Sequence, residues 1–134
     1  MNFYYPANVW LAFGETFEGN QAIIDWFIKN DFPEVAALSH AMRGSDEAFS
    51  WLMKSGFLHL AAFDSAVTSE DPKAYGWLKK NNHPFLLVFA DACRGKEASI
   101  IWFRNQQLQG FMLVAMKIKK FCDGMTFDYH KKNF

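Results

Sequence analysis

The stretch GSDEAFSWLMKSGFLHLAAF, residues 44–63, decides the fold. A glycine, a serine and two acids stand before Trp51 and Leu52, Lys54-Ser55-Gly56 follows, and Phe57, Leu60 and Phe63 then recur every third residue. A spacing of three or four returns a side chain to one helix face each turn, so the stretch reads as two helices joined at the lysine–glycine string. Ser45 is an N-cap candidate, and Asp46 and Glu47 in the next turn suit the positive end of a helix dipole. Gly44 suits the left-handed residue that closes the preceding helix.

Working outward, the pattern repeats. Trp26, Trp51, Trp77 and Trp102 lie 25, 26 and 25 residues apart, and Phe27, Leu52, Leu78 and Phe103 follow them. Glycine precedes three of the tryptophans by seven residues, at Gly19, Gly44 and Gly95; the third unit has Ser69 near this point and one extra residue. Six residues after each tryptophan come Phe32, Phe57, His83 and Leu108, each followed at +3 and +6 by apolar residues. Counting backwards, Ala7 opens a first unit with Trp10 and Phe13. The period corresponds to about four and a half copies of a roughly 25-residue two-helix unit. In the second unit the helices are expected over residues 34–43 and 46–54.

Asn20, Ser45 and Ser69 are the expected N-caps, Gly44 and Gly95 the left-handed C-terminal caps, and Pro33, Pro72 and Pro84 first-turn residues. Ala41, Ala66 and Ala92 share one register and suggest close helix crossings. Helices of about ten residues are marginal alone, so packing must hold them. The four tryptophans, as the largest recurring side chains, are expected inside as a continuous structural seam, with Trp51→Ala or Trp77→Ala costing roughly 3–5 kcal/mol. The terminal units depart from the pattern at Ala7, Lys117 and Lys120, which read as solvent-facing caps. The fold expected is all-α, a short right-handed α-α superhelix, with a closed multi-helix bundle as the alternative. Residues 1–123 form its single domain and residues 124–134 a tail carrying Phe127 and Tyr129.

This helix-turn-helix periodicity resembles the α-solenoid class, to which ankyrin, tetratricopeptide and HEAT repeats belong, over approximately residues 7–121. The specific strings of those families are absent and the period is shorter. The class implies a tendency towards binding macromolecules and carries no site residues over.

Composition narrows the function. The chain has 134 residues, 51% hydrophobic and 18% aromatic, enough to build a core without disulfides or a structural metal. Fourteen basic residues balance fourteen acidic ones, so no overall field favours nucleic acid or an anionic membrane. Cys93 and Cys122 have neither paired nor metal-ligand spacing, which fits a reducing compartment and buried or incidental thiols. No apolar run is long enough to span a bilayer and no basic leader opens the chain. A cytoplasmic protein without cofactor or metal is expected.

The nucleophile, phosphate-loop, dinucleotide and zinc strings are missing, which argues against an enzyme without excluding one. His40, His59, His83 and His130 are scattered. His83 fills a slot held elsewhere by Phe or Leu and reads as a core or cap histidine, and His59 with Asp64 as a polar pair at most. Positions +8 and +11 of successive first helices lie one turn apart: Glu15 and Glu18, His40 and Arg43, Ser65 and Thr68, Asp91 and Arg94. From this stripe, Glu15, His40, Arg43, Asp91 and Arg94 are the candidate binding residues. The plainer reading is a solvated face in which Asp91 and Arg94 pair locally and the arginines cap helix ends. The leading expectation is a non-enzymatic module that presents its helical surface to a protein or peptide. A small-ligand binder or helical enzyme with an aromatic-lined pocket near His83, Asp91 and Arg94 is the alternative, and self-association through the apolar ends of the stack a third.

Overall fold

A computed structural model describes residues 1–125 and Phe134. The expected roles of Phe127, Tyr129 and His130 lie outside the described residues. Within them the chain is all-helical, with nine α-helices and one 3-10 turn. The helices are α1 (Ala7–Glu15), α2 (Gln21–Lys29), α3 (Pro33–Met42), α4 (Asp46–Lys54), α5 (Leu58–Thr68), α6 (Pro72–Lys80), α7 (Pro84–Cys93), α8 (Glu97–Asn105) and α9 (Gln109–Asp123). The second helices α2, α4, α6 and α8 are nine residues each, and their starts are 25, 26 and 25 residues apart.

Local chemistry accounts for the boundaries. Gly44 and Gly95 adopt φ of 109° and 81°, and the following amides, of Ser45 and Lys96, return to the His40 and Asp91 carbonyls at 2.9 and 3.0 Å. Ser45 Oγ accepts the Ala48 amide at 3.1 Å, and Pro33, Pro72 and Pro84 each open a helix. The third unit differs: Asp71, accepting the Lys73 amide at 2.9 Å, is the N-cap of α6, and Ser69 instead ends α5. The extra residue has been absorbed by α5, which has eleven residues where α3 has ten.

The pairs do not run on as an open superhelix. The first helices α1, α3, α5, α7 and α9 pack each against the next, and α9 packs against α1, so the array closes on itself as the alternative bundle. The second helices form an outer layer: α2 lies against α1 and α3, α4 against α3 and α5, α6 against α5 and α7, and α8 against α7 and α9. Closure depends on close approach. A Cβ at Gly14 would stand 3.2 Å from Val114 Cγ2, and one at Gly110 3.3 Å from Leu11 Cδ2. Lys117 does not face solvent as a cap; it bonds Glu15 and reaches Glu18 at 3.1 Å, tying the last helix to the first.

The centre is filled by rings. Trp10, 1% exposed, meets Phe13, Phe85 and Phe89 edge-on at 5.4–5.7 Å and donates its indole N–H to the Phe3 carbonyl at 2.8 Å. Phe63 stacks on Phe89 from α5. One mouth of the ring is crossed by residues 1–6, with Phe3 against Phe85 and Phe111.

The recurring tryptophans are not in this core. Trp26 is 47% and Trp51 41% exposed, and Trp77 and Trp102 are half-buried. Phe27, Leu52, Leu78 and Phe103, one residue later and about 100° around each helix, are fully buried in their place. Each tryptophan of the first three pairs instead lies flat on the residue six positions on: Trp26 on Phe32, Trp51 on Phe57 and Trp77 on His83, at 6.0, 5.7 and 5.4 Å. The stacks bridge the turns at Asp31, Gly56 and Asn82, all with positive φ. The indoles fasten the turn within each pair from outside.

Candidate functional site

The expected binding residues occupy the last turns of α1, α3 and α7 or the residue just beyond, on one rim of the ring, but the structure does not gather them into one site. Glu15 is held by Lys117. Arg43 Nε donates to the Ser39 carbonyl and hydroxyl at 3.3 and 3.1 Å, capping α3, while its Nη2 lies 3.4 Å from His40 Nδ1. Asp91 and Arg94 do not pair with each other as expected: Asp91 meets Lys96 at 3.2 Å, and Arg94 meets Glu70 at 2.8 Å and the Tyr75 hydroxyl at 3.4 Å. Ser65 and Thr68 are fully buried and interrupt the stripe. Cations at this rim answer the carbonyl ends of the inner helices.

His83 stands at the start of α7 and Asp91 and Arg94 at its end, so the pocket expected between them has no geometry to support it. His83 lies between Trp77 and His59, the rings stacked at 5.4 and 5.6 Å. Tyr4, with φ of 69°, bonds His83 Nδ1 through its hydroxyl and stacks on His59. His59 thus belongs to this cluster, while Asp64, fully buried, accepts the Thr68 hydroxyl at 3.0 Å.

Burial, then the neighbouring His83, lowers the His59 pKa to about 4; burial also lowers that of His83. With the folded pKa depressed, the unfolded chain binds more protons between about pH 4 and 6.5, so stability is full above 6.5 and falls as pH drops towards 4. Urea midpoints should therefore fall between pH 6.5 and 5, with a total loss on the order of 1–2 kcal/mol once solvent screening is allowed for. His59→Gln should flatten that slope. An unchanged slope in the variant would remove His59 as its cause.

At the rim that carries Arg94, away from the His83 cluster, a cavity of about 150 Å³ is lined by Thr68, Glu70, Cys93, Arg94, Lys119 and Cys122, among others. Cys93 is in no disulfide, and burial pushes its thiol well above the ordinary range, so it is a poor nucleophile. No group of three His, Cys, Asp or Glu side chains among the described residues is placed to hold a metal ion. No helix among them is long and apolar enough to cross a membrane.

A broader concavity lies elsewhere. An open groove of about 440 Å³ runs over the outward face of α3, with Pro33, Ala36, Ala37 and His40 as its floor. Ile28 of α2, 56% exposed, forms one wall, and Ala48 and Trp51 of α4 the other. The corresponding floor of α5, Ala61, Ala62 and Ser65, is fully buried. Burial, and then Arg43, lowers the His40 pKa, which disfavours its charged form, and among the described residues Glu47 is the one carboxylate lining the groove. Of the expected binding residues only His40 lines it. Ile28 and Ala37 were missed, and Trp51 was assigned to core packing over its use in an aromatic groove. The alternation of small floor residues with large neighbours was the signal available.

No protein-family profile matches the sequence, and neither does any curated protein or solved structure.

Proposed function

We propose that the protein is a non-enzymatic interaction module that takes a protein or peptide segment with apolar anchor residues into the groove over α3. The observation that carries this reading is the groove itself: concave, almost uncharged, floored by small side chains and walled by exposed Ile28 and Trp51. Small floor residues leave room for an inserted side chain, and a partly exposed indole offers a large contact area at low entropic cost. The buried thiol of Cys93, in no disulfide, supports a cytoplasmic setting.

The test is selection of a displayed peptide library against the folded protein. Enriched sequences should carry apolar or aromatic anchors, shift Trp51 fluorescence saturably, and weaken at least roughly tenfold on Ala37→Glu, about 1.4 kcal/mol, with the circular dichroism unchanged. Absence of enrichment, or equal binding to the Ala37→Glu protein, would end the proposal.

A further inference from the structure

We propose that the seam between α9 and α1 is a docking seat for an amphipathic helix supplied by another polypeptide, standing where a fifth outer helix would stand. This surface is separate from the groove over α3 and does not depend on it. Five inner helices closed in a ring make five seams. Four are covered, by α2, α4, α6 and α8, each touching the two inner helices beneath it. Over the fifth, between α9 and α1, no helix lies among the described residues.

What the fifth seam exposes is apolar. Leu11 of α1 is 40% exposed, and Leu113 of α9, between Gly110 and Lys117 on the side turned to α1, is 49% exposed. Beside them a depression of about 190 Å³ has Ala7, Trp10, Leu11, Gly110, Phe111 and Val114 as its apolar lining, with Gln107 and Gln109 at one end. At the far end Lys117 is held by Glu15 and Glu18, which leaves one net negative charge at that end of the seam.

The ring itself indicates the occupant. On two covered seams the outer helix sends down a pair of large apolar residues three positions apart, Ile24 with Phe27 and Phe49 with Leu52, all fully or nearly fully buried. The exposed Leu11 and Leu113 along this seam match the footprint of such a pair. The repeat places a single helix over every other seam, which makes one helix, not a second copy, the occupant that fits the fifth.

The probe is a side-chain-stapled peptide of residues 45–55, which carries α4 with its cap, titrated into the isotope-labelled full chain. Saturable shifts are expected at Leu11 and Leu113, weakened at least roughly tenfold by Leu113→Glu or Leu11→Lys and unaffected by Ala37→Glu. A peptide with serine in place of Phe49 and Leu52 should not bind. The proposal is overturned by absence of saturable shifts up to about 1 mM, by shifts at Ala37 and His40 instead, or by binding that survives Leu113→Glu. It is equally overturned if the Leu113 methyl groups of the free protein are shielded from a soluble paramagnetic reagent, since the seam is then already filled by the chain itself or by a second copy.

Discussion

Trp10→Ala should cost roughly 3–5 kcal/mol, a large share of the ~5–15 kcal/mol that stabilises a domain of this size. Trp10 is 1% exposed and touches Tyr5, Phe13, Phe85 and Phe89, so its removal leaves a cavity that surrounding rings cannot collapse to fill. It also deprives the Phe3 carbonyl of its donor. Trp51→Ala is the informative contrast. That ring is 41% exposed and stacked on Phe57, so its loss should cost about 1 kcal/mol, whereas Leu52→Ala beside it should cost roughly 2–5. Urea unfolding of the three variants at pH 7 measures all of this. A Trp51→Ala protein as unstable as Trp10→Ala would contradict the placement of the indoles.

Gly14→Leu should open the ring, at a cost of roughly 3 kcal/mol. A single Cβ there already stands 3.2 Å from Val114 Cγ2, and further carbons must push α9 away from α1. Gly14→Ala is expected to be close to neutral, because the gain of about 1 kcal/mol in helix propensity offsets the slight crowding. Val114→Ala should restore part of what Gly14→Leu removes, giving a coupling of about 1–3 kcal/mol in the double-mutant cycle. If the two substitutions simply add, the glycine is not the point of closure.

The helices were legible because their signals are local. Prolines at Pro33, Pro72 and Pro84, the serine cap at Ser45 and the glycines at Gly44 and Gly95 each act within a turn, and the expected 46–54 helix coincides with α4. The burial of the tryptophans was misjudged because size was allowed to choose between neighbours. In the pairs Trp26-Phe27, Trp51-Leu52, Trp77-Leu78 and Trp102-Phe103 both positions are apolar, yet a helix face admits only one of two adjacent residues. The aromatic partners at Phe32, Phe57 and His83, six residues on, were the evidence that the indole faces its own turn.

Closure was harder to foresee, since Gly14 and Val114 meet across a hundred residues of sequence. The available signal was that Gly14 and Gly110 fall outside the glycine positions of the period, where no turn needs them. The candidate surfaces were the least legible. The charged stripe engaged its own neighbours, and the open concavities are made of alanine, leucine and isoleucine, whose exposure depends on whether a neighbouring helix happens to cover them.

The embrace of α9 by α1 has a bearing on biogenesis. On the ribosome, the greasy side of α1 leaves the exit tunnel first and its mate emerges about a hundred codons later. Until then Phe17 lacks its edge-on partner Phe121 and Gly14 its seat against Val114, so the finished enclosure waits on synthesis of α9.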